Sequence, residues 1–212
     1  MTFPIDRIRA DVPMLGRTMH DRPLVYLDTA ATALKPQQVV DRLVRFYTHE
    51  YGTVRRGAYL LSNESTAMYE GVRAQAAAFF GAADPSEVVF VRGVTEAINL
   101  FANAWGRANL KPGDRVVVSQ MEHHANIVPW QLVCAATGAE LVPAPIDDRG
   151  CIELDGLQAL LDERTKVVSI VHVSNGLGTV NPVADIARMA HDVGALMVVD
   201  GAQSAPHLPV DV

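Results

Sequence analysis

The chain has 212 residues, 49% of them hydrophobic and 20% charged, with a formal net charge of -6. That balance suits one substantial buried core and excludes a disordered segment or a repeat array, and its acidity leaves no basic footprint for nucleic acid or anionic lipid. Residues 1–9 lack an apolar stretch of signal-peptide length and no run is long enough to span a bilayer, so the expected location is cytoplasmic, with no membrane or nucleic-acid partner.

Residues 1–23 mix Pro4, Pro13 and Gly16 with charges and a short helical pattern from Ile5 to Ala10, and read as an arm. Leu24 to Leu27 reads as a strand ending at Asp28, followed by the small residues Thr29, Ala30, Ala31 and Thr32, which suit either close approach to a ligand or an ordinary turn. Pro36 opens a helix to about Tyr51, and Gly52 stops it. A loop carrying Arg55 and Arg56 leads to Ser62 or Asn63, either of which could cap a long alanine-rich helix that ends at Gly81. From there the chain alternates. Strands are expected at Glu87–Val91, Arg115–Ser119, Glu140–Ala144, Val167–Val173 and Leu196–Val199, and helices at Thr95–Trp105, Ile127–Thr137, Asp155–Leu161 and Val183–Asp192. Apolar strands alternating with amphipathic helices predict an α/β fold, a three-layer αβα arrangement around a mainly parallel mixed sheet. Ligands of such sheets sit beyond the strand C-termini.

Four segments occupy those positions. Arg92–Glu96 joins a strand to a helix, where free N–H groups, Gly93 and the Thr95 hydroxyl could seat a small phosphate, although Thr95 could equally be a plain N-cap. No GxGxxG or Walker motif points to a dinucleotide or a nucleoside triphosphate. Met121–Asn126 holds His123 and His124, whose adjacency does not match the i, i+4 spacing of helical zinc ligands, so no metal is expected. One of these histidines could lie on a flat cofactor ring and move protons, or simply be a bonded loop residue. Asn175 before Gly176 could face a ring substituent, a substrate carboxylate or nothing but its own turn. Asp200 ends an apolar strand, and such a carboxylate costs several kcal/mol to desolvate unless a cation pairs with it. A protonated pyridine nitrogen would serve, as would an arginine, and Gln203 could reach the oxygen of the same ring. Together these describe a site for a phosphorylated pyridine such as pyridoxal 5'-phosphate. Cys134 and Cys151 show no CxxC spacing and read as reduced packing residues.

The runs from Gln120 to Gln131, His172 to Asn175 and Asp200 to Gln203, with Leu27–Ala31 and Val91–Leu100, closely resemble the SufS-type (group II) cysteine desulfurases, class V aminotransferase relatives of fold type I. The resemblance implies an N-terminal arm (1–23) and a partial large pyridoxal phosphate-binding domain (24–212). It further implies an enzyme that takes sulfur from L-cysteine, leaves L-alanine and passes a persulfide to an acceptor protein for iron–sulfur cluster assembly, and that is a homodimer at full length. By the same resemblance Thr95 binds the phosphate, His123 stacks on the ring and helps proton transfer, and Asp200 pairs with the pyridine nitrogen. Gln203 contacts the ring oxygen, and Asn175 faces that oxygen or the substrate. Ala31, Arg55 and Arg56 lie near the substrate entrance and dimer interface. Val94 and Gly176 depart from the family pattern, which has a threonine and a larger apolar residue there.

Family members run about twice this length, through a lysine that holds the cofactor covalently and a cysteine that accepts the sulfur. Here the last lysine is Lys166, so none follows Asp200, and neither Cys134 nor Cys151 matches the nucleophile's motif. The expectation is an N-terminal half that is inactive and aggregation-prone by itself. The alternatives are another class V enzyme (a selenocysteine lyase or an aminotransferase), a non-catalytic fragment completed by a partner chain, and a metal-dependent hydrolase built on Glu122, His123 and Asp200.

Overall fold

A computed structural model describes residues 3–212, and the chain divides into two compact units with the boundary between Val88 and Val89. In the N-terminal unit, α1 (Ile5–Ala10) precedes a two-stranded antiparallel hairpin of β1 (Thr18–Met19) and β2 (Arg22–Pro23) that the sequence reading missed. Its two loop residues, His20 and Asp21, both take positive φ (50° and 59°), the sign pattern of a type I′ turn, which matches the twist of the flanking strands. The usual Asn-Gly signal is absent, so nothing local announced it.

α2 (Gln37–Arg45) continues into a π-helical turn at Phe46–Glu50, closed by Arg42 and Arg45 pairing with Glu50 at 2.7 and 2.6 Å. α3 (Leu60–Phe80) starts earlier than expected and ends where expected, at Gly81 in the left-handed conformation (φ 72°). Its N-cap is Tyr59, and neither Ser62 nor Asn63 caps it. Ser62 Oγ instead donates to Thr53 O at 2.6 Å and accepts from Gly57 N–H at 3.1 Å, fastening the preceding loop to the helix. The strands expected at Leu24–Leu27 and Glu87–Val91 do not form: Leu24 N–H only extends the hairpin, donating to Arg17 O at 2.9 Å, and Glu87 closes a 3₁₀ turn. Apolar residues alone make no strand without a neighbour to take the backbone bonds, and Leu27 here is 91% exposed.

The C-terminal unit begins with α4 (Val94–Phe101), a π-helical turn and the short α5 (Arg107–Asn109), and then alternates regularly. β3 (Arg115–Ser119), α6 (Val128–Thr137), β4 (Glu140–Ala144), α7 (Leu154–Leu160), β5 (Thr165–Val171), α8 (Val183–Asp192) and β6 (Leu196–Asp200) follow in turn. The four strands form one sheet in the order β4-β3-β5-β6, and all three ladders are parallel. Strand alternation explains the layers. Val116, Val118 and Val167 pack with Ile98 of α4 and Trp130 and Val133 of α6 on one face. Val117, Val168 and Ile170 pack with Leu157 of α7 and Ile186 and Ala190 of α8 on the other. The order reverses between β3 and β5, so the loops leaving those two strands diverge and open a crevice, the position where doubly wound sheets take ligands.

Candidate active site at the strand ends

The segment after β3 is a bonded turn. His123 N-caps a 3₁₀ turn at His124–Asn126, and its Nδ1 accepts the Ala125 N–H at 3.1 Å. A ring nitrogen that accepts carries no proton, so in the neutral imidazole the proton sits on Nε2. The His123 ring itself is exposed. With Asn175, Ser174 and Leu177 from the loop after β5, it lines a cleft of about 450 Å³ at the crevice between β3 and β5.

Thr95 lines a separate cleft of about 720 Å³ with Arg92, Gly93, Glu96, Asn99 and Leu100. The N-cap of α4 is Gly93 and no side chain caps this helix, so the Thr95 hydroxyl is not consumed as a cap. The first-turn N–H groups lack intrahelical acceptors, as at any helix start. Glu96 reaches back to the Arg92 N–H at 2.7 Å and pairs with its guanidinium at 3.0 Å, placing an acid and a base at the rim.

Asp200 ends β6, opposite Val171 of β5, and is 4% exposed. Its Oδ1 accepts the Ala202 N–H at 3.0 Å, and among the described residues no salt bridge reaches it. Gln203 is half-buried in the turn that follows. Asp200 and Gln203 line neither of the two clefts. The structure therefore brings His123 and Asn175 to one cleft, puts Thr95 in another, and leaves Asp200 as a buried anion beside the loop after β3.

Ala31, Arg55 and Arg56 belong to the N-terminal unit. Ala31 N–H donates to Asp28 O at 3.1 Å in an exposed turn. Arg55 is held at φ 90°, costly for a residue with a Cβ, while its N–H donates to Thr66 Oγ1 at 2.7 Å and its guanidinium approaches Glu70 at 3.7 Å. Arg56 is exposed.

Sequence reasoning assigned no role within this site to the polar residues beneath the His123 turn. Glu122, 8% exposed, accepts from Ser119 Oγ, from the Val171 N–H at 2.9 Å and from Asn126 Nδ2 at 2.7 Å. Asn126, fully buried, in turn accepts from Trp130 Nε1 at 3.2 Å and Ser169 Oγ at 2.6 Å. The available signal was a serine in the middle of an apolar strand, at Ser169, and an acid and an amide spaced i, i+4 between two buried segments. Burial raises the Glu122 carboxyl above its ordinary value, the three hydrogen bonds oppose this, and the nearby charge of Asp200 adds to the rise.

Among known families, the aminotransferase class-V model matches residues 25–212. The chain belongs to that family. A cysteine desulfurase of Shigella sonnei is 52% identical over all 212 residues, which span 52% of that protein, and one from an Escherichia coli O1:K1 strain is 51% identical over the same share. The chain thus spans about half the length of the curated relatives it matches. Among solved structures, the apo cysteine desulfurase of Thermococcus onnurineus is similar with a TM-score of 0.91 at 35% identity, over the whole chain and 50% of that structure. A cysteine desulfurase of Escherichia coli, solved as an S-sulfonic acid, gives a TM-score of 0.85 at 37% identity, over 99% of the chain and 51% of the structure. Class V members depend on pyridoxal phosphate; among the described residues the buried Asp200 has no salt bridge, a state that suits a cation brought by a ligand.

Proposed function

We propose that the protein carrying this chain is a pyridoxal phosphate-dependent cysteine desulfurase that converts L-cysteine to L-alanine. We further propose that at full length it is a cytoplasmic homodimer that hands the sulfur to an acceptor protein of iron–sulfur cluster assembly. The observation that carries the cofactor is Asp200, a carboxylate 4% exposed whose side chain has one backbone donor and no salt bridge among the described residues. A buried anion in that state is stabilised by a cation brought by a ligand, and a protonated pyridine nitrogen supplies one. The names of the relatives, with identity along the whole chain, support the substrate.

When bound, the cofactor supplies an electron sink for the carbon atoms of the amino acid. This chain would hold it through Thr95 and the first turn of α4 at the phosphate, His123 over the ring, Asp200 at the ring nitrogen, and Gln203 and Asn175 at the ring oxygen or substrate. His123 would hold or deliver its proton at Nε2, because Nδ1 is occupied by the Ala125 N–H. In the overall reaction the Cβ–S bond of cysteine breaks, the sulfur joins a thiolate sulfur as a persulfide, and the electron pair left on carbon takes a proton.

The test is to titrate the full-length protein with pyridoxal phosphate and assay alanine from L-cysteine. Saturable uptake with alanine formed in step with sulfide or persulfide is the expected result. No cofactor uptake, or amino-group transfer without alanine release from cysteine, would overturn it; preference for selenocysteine would move the protein to the lyase alternative.

A further inference from the structure

We propose that Glu122 is a positioning residue that sets the orientation and tautomer of His123 by locking the turn after β3 onto the end of β5. The inference rests on the ring-facing role of His123 proposed above and extends it to residues beneath the site.

The chain of contacts is short. Glu122 Oε1 accepts the Val171 N–H at 2.9 Å, binding the turn to β5, and Oε2 accepts Asn126 Nδ2 at 2.7 Å, one helical turn further on. Asn126 N–H donates to His123 O at 2.8 Å and closes the turn, and within that turn the Ala125 N–H reaches His123 Nδ1 at 3.1 Å. A shift of Asn126 therefore moves the one donor that makes Nδ1 an acceptor and leaves the proton on Nε2.

The amide of Asn126 has one permissible orientation. Its nitrogen faces a carboxylate, and its oxygen faces Trp130 Nε1 at 3.2 Å and Ser169 Oγ at 2.6 Å. Trp130 Nε1 and the Val171 N–H can only donate. Glu122 must therefore present acceptors on both oxygens. Burial makes this costly, and the network is complete enough to hold it, which is the condition under which a buried polar cluster specifies one geometry.

This predicts a swap. Glu122→Gln keeps the shape but turns an amide nitrogen toward Asn126 Nδ2, so two donors face each other. If the Asn126 amide flips to relieve this, the Trp130 N–H loses its acceptor. Asn126→Asp by itself sets a carboxylate against Glu122. The double variant Glu122→Gln with Asn126→Asp restores every donor–acceptor match at unchanged net charge, since the glutamine nitrogen donates to the new carboxylate, whose other oxygen accepts from Trp130 and Ser169.

The experiment compares the full-length wild-type protein, both single variants and the double variant. It uses ¹⁵N-histidine NMR, with the His123 signal assigned by its loss in His123→Asn, together with kcat and KM for L-cysteine. Each single variant is expected to lose the Nε2–H signature of His123 and to lower kcat about tenfold with KM little changed, and the double variant to recover both. Should Glu122→Gln fail to fold, regained folding in the double variant supports the clamp. An unchanged His123 signature in either folded single variant, or a double variant that recovers neither folding nor the signature, overturns it. Cofactor uptake is measured separately: if pyridoxal phosphate does not bind while the His123 signature follows the swap, the proposed function fails and the clamp stands.

Discussion

Asp200 stands opposite Val171 on the last rung of the parallel β5–β6 ladder, and the Val171 N–H donates to Glu122 Oε1 at 2.9 Å. One rung of sheet thus joins the two buried acids of the site, and the charge of Asp200 raises the Glu122 carboxyl in addition to the larger effect of burial. Glu122 has three hydrogen-bond donors to offset its burial, whereas Asp200 has one backbone donor and no salt bridge among the described residues, and a carboxylate buried without a paired cation costs free energy.

Asp200→Asn should therefore separate stability from binding. The amide oxygen can still accept the Ala202 N–H, and the buried charge disappears. Chemical unfolding of the cofactor-free protein should show a gain of about 1 kcal/mol or more, while pyridoxal phosphate binding weakens at least about tenfold. A loss of stability in the free protein would mean that Asp200 already has a compensating partner.

Thr95→Ala tests the phosphate seat in the opposite sense. Because Gly93 is the N-cap and the Thr95 hydroxyl makes no capping bond, unfolding of the free protein should change by less than about 0.5 kcal/mol. Cofactor affinity should fall about tenfold through loss of one hydrogen bond to a charged group. Equal binding by the variant would remove Thr95 from the site.

Cys134 should be unreactive and alkali-sensitive. It is buried, and burial pushes its thiol up to about 11. A folded-state value above the ordinary one means the folded protein holds the proton longer than the unfolded chain, so the contribution is fully present below about pH 9 and is lost as pH rises towards 11. The urea midpoint should fall between pH 8 and pH 10.5, and less so in Cys134→Ala. Iodoacetamide should modify the half-buried Cys151 first; rapid labelling of Cys134 in the native protein at pH 8 would contradict this.

The β1–β2 hairpin should accept a better turn. His20 and Asp21 both sit at positive φ, which costs each side chain that carries a Cβ. Replacing the pair by Asn-Gly should stabilise the hairpin by about 1 kcal/mol, visible as slower amide exchange at Leu24, whose N–H donates to Arg17 O at 2.9 Å. Faster exchange would show that the side chains of His20 and Asp21 do more than turn the chain.

The sheet of the C-terminal unit was legible because period and length agree there: β3, β4 and α8 have the bounds that alternation alone indicates, and β6 differs by one residue. Leu24–Leu27 and Glu87–Val91 carry similar apolar character and form no strand, since a strand needs a continuous ladder with a neighbour and apolar sequence by itself does not supply one. The Ser62 cap misled for a related reason. A serine near a helix start suits a cap, and here its hydroxyl bonds the loop from Thr53 to Gly57 instead.

For the site, residue order was enough to mark His123, Asn175 and Asp200 as strand-end residues, because hydrophobic patterning places strand ends and the family runs supply the side chains. Only the tertiary structure decided which of them share a cleft, that Asp200 is buried without a salt bridge among the described residues, and that Glu122 and Asn126 lie beneath His123 in one hydrogen-bonded cluster with Ser169. The physical reason is range. Strand and helix periods are set by neighbours a few residues apart, whereas the bonds from residue 122 to residue 171 and from 126 to 169 exist only once parallel strands lie side by side.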